Sequence, residues 1–506
     1  MDAAQEMEAR VLRYQDAMNS VIDRFESPVQ QFYCGAVVFV TGGSGFLGKQ
    51  LVEKLFRRQP RFADRITAIE GNVGELRLGL READWRAISE EVDIIFHMAA
   101  TIRFDEPIKV STLINVRGTR EALRLAKECR NLRSFVYVST AYSHATYSRA
   151  GGAVLEDFYP CPVPPDAMIH LAETVAVERL DAITPELVKD WPNTYTFTKA
   201  LAEEVVRTTG PGLPVCIVRP AIVLCSHCEP APGWMDTSCI FGPSGVILGV
   251  ALGVLHVCLV DHTKRLALFP VDRTNNAILA AGWDSAAGRG SEAGRGSEAG
   301  QGGGERDITI YNVADEAVFN RNACTFCGFV AKALRGSRHL ATNKAVWYCY
   351  LIETNIKLVY WALLWALQYI PAYVMDAVCD VLNVRPKGIP KFVKIFDVLN
   401  KQTHIFNFFM TQEWLFKSHN LKALLSRMSE EDRHIYNCDL TDIDYKEYGQ
   451  IWLLGTRKYL IKDGLKDTDK GHKKQMYMKY VNMIFLCLYV YVLWKIVAFI
   501  NTFILL

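Results

Sequence analysis

The chain predicts an α/β fold: a doubly wound parallel sheet, then a mostly helical second half and an apolar C-terminal helix. Short β-branched runs alternate with helical stretches between residues 35 and 220, the pattern of a parallel sheet with helices on both faces. A glycine-rich turn, TGGSGFLG at 41–48, joins the first run to an amphipathic stretch. Beyond residue 306 the sequence becomes helical and rich in aromatics, and residues 480–506 are almost wholly apolar.

Residues 1–34 read as an amphipathic helical segment. Met1 to Arg10 carries two glutamates and an aspartate and no apolar run, which argues against a cleaved secretory signal. A nucleotide-binding domain is expected over 35–284, with strands at Ala36–Val40, Ile66–Ile69, Asp93–His97, Phe135–Ser139 and Val215–Arg219. Residues 285–305 contain GRGSEAG twice and little to bury, so they read as a disordered insertion. A helical domain is assigned to 306–470. Inside it Leu358–Met375 has Gln368 as its one strongly polar residue and holds Pro371; it can span a bilayer, lie at its surface or be buried. Tyr480–Leu506 is predicted to be a transmembrane anchor, with Lys473, Lys474 and Lys479 on its cytosolic side. Lys495 near its middle is costly in hydrocarbon.

At 506 residues the chain exceeds one core. With 57 Lys+Arg against 55 Asp+Glu, the net charge of +2 gives no electrostatic case for nucleic acid. The 14 cysteines are scattered, as suits a reducing compartment. Cys225-Ser-His-Cys228 and Cys324-Thr-Phe-Cys327 lack second pairs at finger spacing, so no metal site is expected.

Gly42, Gly45 and Gly48 lie between a strand and a helix. The first allows a tight turn, the second lets the backbone approach a pyrophosphate, and the third lets the helix pack on the sheet. The helix N-terminus then faces the negative charge. This is a Rossmann-type dinucleotide site. Ala99 and Ala100 follow the strand ending at His97, where small residues border a cofactor cleft at the switch point. Ser139 and Thr140 bring hydroxyls to the same sheet edge. Tyr195 and Lys199 are four apart, on one helical face. An ammonium beside a phenol favours phenolate, so a tyrosine of lowered pKa is expected, usable as a proton donor near neutrality.

Together these pieces resemble the extended short-chain dehydrogenase/reductase family and, within it, the alcohol-forming fatty acyl-CoA reductases of animals, especially insects. The likeness is carried by TGGSGFLGKQLVEKL, VDIIFHMAATIRFDEP, INVRGTREAL, FVYVSTAYS, PNTYTFTKALAEE, IVRPAIV, Pro230–Asp236, Phe269-Pro-Val-Asp272 and Tyr448–Leu460. The resemblance implies Tyr195 as proton donor and Lys199 as the residue that holds the nicotinamide ribose. It implies Thr140 as the third catalytic hydroxyl, with Ser139 the neighbouring candidate. Gly42, Ser44, Gly45, Phe46, Leu47 and Gly48 would wrap the pyrophosphate of NADPH. Ala99 and Ala100 would border the adenosine side, and Pro220 and Ile222 the nicotinamide. The implied reaction takes long-chain fatty acyl-CoA through an aldehyde to a primary alcohol. It would occur at a lipid membrane, endoplasmic reticulum or peroxisome, with the reductase domain in the cytosol.

The chain departs from this pattern after residue 59. Read locally, Ile66–Ile69 is the second strand and Glu70 the acid that the fold places about 20 residues past its glycines, on a ribose hydroxyl. Read against the family, ITAIEGNVGELRLGL matches the third strand and its Gly-Asp turn, with Asn72 for the aspartate. The second strand and its helix, with the basic residue that reads the 2′-phosphate, are then missing, and the third strand must slide in or leave a gap. Two other functions compete: a membrane-attached dehydrogenase of the hydroxysteroid type, and an inactive splice or misjoined form with impaired cofactor binding. Trp452 to Tyr459 and the helical C-terminal domain argue against the hydroxysteroid type. The sequence leaves chain-length preference and oligomeric state open.

Overall fold

The computed structural model describes residues 2–57, 59, 61–237, 242–261, 263–287, 307–314, 340–383, 385 and 390–504. The GRGSEAG repeats and the Cys324–Cys327 pair lie outside the described residues. In chain order the strands are β1 Val38–Thr41, β2 Ile94–His97, β3 Ser134–Val138, β4 Ala153–Val154, β5 Val215–Pro220, β6 Ile222–Leu224, β7 Val257–Leu259, β8 Leu268–Pro270, β9 Thr309–Val313, β10 Ile352–Thr354 and β11 Leu415–Phe416. Five of them make one parallel sheet in the order β1-β2-β3-β5-β9. Val38 lies opposite Ile94, Ile94 opposite Ser134, and Phe135 opposite Val215.

Alternation along the strands sorts side chains into two cores. Ile94 and Phe96 join Leu51, Val136, Val138 and Ile278 on one face. Ile95 joins Leu123, Phe135, Tyr137, Phe197 and Leu201 on the other. Helices Phe46–Leu55 and Val271–Ala286 cover the first face, Gly118–Glu128 and Thr194–Thr209 the second. The sheet is doubly wound, as predicted.

Two expectations are corrected here. Ile66–Ile69 is not a strand under either reading. A short 3-10 turn, Phe62–Arg65, leads into an extended exposed stretch, and β1 is the sheet edge. A β-branched run forms a strand only where a neighbour takes its backbone bonds, and among the described residues none pairs with Ile66–Ile69 or with the outer side of β1. The sheet neither closes over the missing unit nor leaves an internal gap; among the described residues it starts at β1, with neither the second nor the third strand of the pattern beside it. The domain boundary at 306 is also displaced, because β9 pairs along β5 from Cys216 to Pro220 and completes the sheet.

The N-terminal segment forms helices Ala3–Ile22 and Pro28–Tyr33. Asp2 caps the first through Ala4 N at 3.0 Å and also accepts Thr468 N at 2.9 Å. The C-terminal half holds helices Lys357–Leu382, Phe392–Thr411, Tyr445–Gly455 and Thr468–Ile504. It is tied back to the front half by the parallel pairs β11/β4 and β10/β7.

Candidate active site

β1 runs into the glycine turn. Gly42 adopts φ +76°, and a Cβ there would lie 2.8 Å from Ala99 N. At Gly48 a Cβ would lie 2.2 Å from Gly42 O, so only glycine lets the helix Phe46–Leu55 pack on the turn. Gly45 is the N-cap of that helix, and no side chain caps it. Ser44 and Gly45 are exposed, so the first helical N–H groups are open to an anion. The turn thus fits a pyrophosphate. Phe46 stacks on Trp234 with ring centres 5.4 Å apart, and Leu47 O accepts from Asn275 Nδ2 at 2.9 Å.

β2 delivers Ala99 and Ala100 beside this turn. A buried polar chain locks the junction. Ala99 N donates to Thr41 Oγ1 at 3.3 Å, and Thr41 shares a 2.8 Å bond with His97 Nδ1. His97 Nε2 meets Thr119 Oγ1 at 3.2 Å, and Thr119 donates to Asn115 O at 2.7 Å. Burial, helped by the charge of Lys199, lowers the His97 pKa to about 3, so the ring is neutral at physiological pH.

β3 ends in the two candidate hydroxyls, and they face different partners. Ser139 donates to Glu203 at 2.5 Å. Thr140 donates to Pro220 O at 3.3 Å, and its hydroxyl acts on the Tyr195 phenol, working against the rise in its pKa. Pro220 closes β5, and Ile222 opens β6 two residues on.

Tyr195 and Lys199 share the helix Thr194–Thr209, which Asn193 caps through Thr196 N at 2.9 Å. The expected lowering of the tyrosine pKa is not seen. Burial pushes Tyr195 up to about 12, against the opposing Thr140 bond. The reason is where Lys199 points: its Nζ donates to Val138 O at 2.8 Å and reaches Tyr137 Oη at 3.5 Å. Burial lowers Lys199 to about 7, and the charge of Glu203 opposes that fall.

Glu203, one turn beyond Lys199, escaped the sequence reading although its spacing from Lys199 marks it as a neighbour. It is 1% exposed. It accepts Ser139, Ser143 at 2.9 Å, His144 Nε2 at 3.0 Å, and Arg219 through Nε at 3.0 Å and Nη2 at 2.6 Å. Burial alone would raise its carboxyl; Arg219 and His144 overcome this and hold it well below the ordinary carboxylate value. One side chain thereby fixes the end of β3, the turn after it and β5. Cys225 places its thiol 3.8 Å from Tyr448 Oη.

A cavity of about 630 Å³ adjoins this edge, lined among others by Phe104, Tyr147, Asn193, Lys357, His404 and Phe408. Phe104 stacks on Tyr195, ring centres 5.6 Å apart, and meets Phe406 and Phe409. Lys401 bonds Asp105 at 2.8 Å and, by that bond, lowers its pKa. The helix Phe392–Thr411 lines one side of the cavity, and the loop after β2 contributes Phe104.

Two family models match the chain, both described as male sterility protein: an NAD-binding one over residues 60–278 and a second over 367–463. The first match begins beyond the glycine turn. Curated relatives align along almost the whole chain. Fatty acyl-CoA reductase wat of Drosophila melanogaster is 30% identical over 94% of each chain. Fatty acyl-CoA reductase 2 of Homo sapiens is 27% identical over 91% of each. Fatty acyl-CoA reductase 1 of Homo sapiens is 30% identical over 92% of this chain and 93% of its own.

Proposed function

The chain belongs to the fatty acyl-CoA reductase family, and on that premise we propose that it reduces a long-chain fatty acyl-CoA through an aldehyde to the primary alcohol and CoA, using NADPH. The bound nicotinamide supplies the hydride chemistry. Gly42, Ser44, Gly45, Phe46, Leu47 and Gly48 would hold the pyrophosphate, Ala99 and Ala100 the adenosine side, and Pro220 and Ile222 the nicotinamide. Lys199 would hold the ribose. Tyr195 donates a proton to the substrate oxygen as negative charge gathers there, and Thr140 hydrogen-bonds the same oxygen. The raised Tyr195 pKa keeps its proton in place at neutral pH. The membrane would be that of the endoplasmic reticulum or peroxisome, with the reductase half in the cytosol.

The observation that carries this reading is the Thr140–Tyr195 pair at the same sheet edge as an uncapped glycine turn, with Phe104 leading from Tyr195 into the cavity. Yeast membranes containing the chain, given long-chain acyl-CoA and NADPH or NADH, should form fatty alcohol, and Tyr195→Phe should abolish it. Alcohol formation untouched by Tyr195→Phe, or none with either cofactor, would refute the assignment. A second reading has its own support: β1 is the sheet edge and the NAD-binding match starts at residue 60. On that reading the adenosine end is held weakly, and inserting a family-like second βα unit after Gln59 raises activity.

A further inference from the structure

We propose that the helix Lys357–Leu382 lies in the plane of a lipid bilayer surface, embedded along one face, and does not cross the membrane. Tyr360, Leu364, Gln368, Ala372 and Asp376, spaced four apart, are all buried, so one stripe is docked along the whole helix. Its partners are Val257 and Leu259 of β7 with Val393 and Phe396. Tyr360 Oη donates to Asn400 Oδ1 at 2.9 Å and Tyr369 Oη to Asp397 Oδ1 at 3.0 Å. Asp376 accepts Phe392 N and Val393 N at 3.0 Å and Arg385 Nη1 at 2.8 Å. A crossing helix would draw this docked partner, with Lys394, Asp397 and Lys401, into hydrocarbon, where charged side chains are expensive.

Between Lys357 at one end and Asp380, paired with Arg385 and Lys391, at the other, the exposed surface of the helix is largely apolar and bare. Leu358 is 79% exposed, Val374 58% and Val381 83%, with Trp361, Trp365 and Tyr373 between them. Tryptophan and tyrosine favour the headgroup level. What covers the face is indicated by its neighbour, the apolar helix Thr468–Ile504. Trp347 Nε1 donates to Asn482 Oδ1 at 2.8 Å, and Cys349 N to Gln475 Oε1 at 2.9 Å. Residues 347–354 then lead through β10 straight into Lys357. Ile484, Val490 and Trp494 are more than half exposed. Two bare apolar surfaces thus leave the same corner of the fold, and lipid is the one occupant that fits both.

One consequence concerns the substrate and rests on the reading above. Asn355 and Lys357, at the start of the in-plane helix, line the cavity that Phe104 connects to Tyr195. The cavity mouth then sits at the lipid–water boundary, where an acyl-CoA keeps its polar head in water and its tail in the membrane.

Leu358→Trp, Val374→Trp and Val381→Trp, on exposed positions of the full chain, test the placement. Each is reconstituted in phosphatidylcholine vesicles brominated either near the headgroup or near the chain end. The emission added by each substitution should be quenched more by the shallow bromines at all three sites. Stronger quenching of Val374→Trp by the deep bromines means a crossing helix, and a site that neither lipid quenches means water or protein contact; each result overturns the proposal. The same vesicles, assayed for alcohol, separate the two readings. Shallow quenching without alcohol leaves the placement standing and removes the reaction; alcohol with deep or absent quenching does the reverse.

Discussion

Glu203→Gln should damage the protein far more than its near-identical shape suggests. Glu203 and Arg219 are 1% and 0% exposed and form two bonds, at 2.6 and 3.0 Å. Glutamine keeps one acceptor and removes the charge. The guanidinium then keeps only neutral acceptors: the glutamine oxygen, and Leu155 O and Asp157 O, both at 2.9 Å. Breaking a buried pair by removing one partner costs about 3–5 kcal/mol. For a domain of this size each kcal/mol shifts the midpoint by about 2–4 °C, so a fall in Tm of about 10 °C is expected. Thermal melting of the purified full chain followed by far-UV circular dichroism gives the number. The partner substitution supplies the cross-check: Glu203→Gln with Arg219→Met removes the stranded charge and should recover part of the loss, so the two changes are not additive. The depressed Glu203 pKa fixes the pH dependence. Folding is favoured by this carboxylate above the unfolded carboxylate value, and that contribution fades as pH falls through the depressed one. A Tm within 2 °C of the parent, by the same conversion under about 1 kcal/mol, or a double variant no better than the sum, would refute the hub.

Other outcomes follow from the same geometry. Gly48→Ala sets a Cβ 2.2 Å from Gly42 O and 2.6 Å from Gly43 Cα; it should cost about 1–3 kcal/mol and abolish binding of NADPH followed by its fluorescence. Thr140→Val should lower kcat about 10²–10³-fold, as loss of an oxyanion donor does, with KM for acyl-CoA little changed. Ser139→Ala, which loosens only a Glu203 contact, should do less than Thr140→Val in the same alcohol assay. Lys199 titrates near pH 7, so NADH affinity should weaken as pH rises through 7 and the ammonium is lost. Lys199→Met should bind weakly and lack that dependence in a fluorescence titration.

Much of the sheet is written in local pattern. The strand ending at Val40, the glycine turn and its helix are contiguous, so spacing alone predicts them. Ile66–Ile69 shows the limit: its side chains favour a strand, but a strand is made by a partner elsewhere in the chain, and here none stands beside it. The Tyr195–Lys199 spacing places both residues on one face yet says nothing of rotamer. Lys199 turns to Val138 O, a carbonyl 61 residues away in sequence, and the tyrosine pKa moves up instead of down. The resemblance favours Thr140 with Ser139 as neighbouring candidate, and no local pattern shows that Glu203 takes Ser139. Exposure likewise resolves Leu358–Met375. Its composition fits a span, an interface or a core; one buried stripe and one bare stripe remove the fully buried core helix, and the in-plane placement proposed above is what the vesicle experiment tests.

The shortened sheet bears unequally on the two ends of a dinucleotide. In a doubly wound fold the cofactor lies across the carboxyl ends of the strands, its pyrophosphate at the turn after the first one. Thr140, Tyr195, Lys199 and Pro220 stand on β3, β5 and the helix between them, inward from β1. Their supports, Glu203, Arg219 and the His97–Thr41 bond, lie there too. On the proposed assignment the reacting end would keep its walls. On the proposed binding mode the adenosine end would lie between Ala99 and Ala100 after β2 and the outer side of β1, where the sheet stops and Glu70 is exposed on an unpaired stretch. Among the described residues, three cations that follow the glycine turn are already engaged: Lys54 and Arg57 both bond Glu229, at 2.7 and 2.6 Å, and Arg65 stacks on Phe56. On that reading, a missing unit there would remove affinity and the means to tell NADPH from NADH before it removed catalysis. The ratio of kcat/KM with the two cofactors therefore measures the loss more directly than activity at saturation, because saturating cofactor hides a weak adenosine grip while the ratio exposes it.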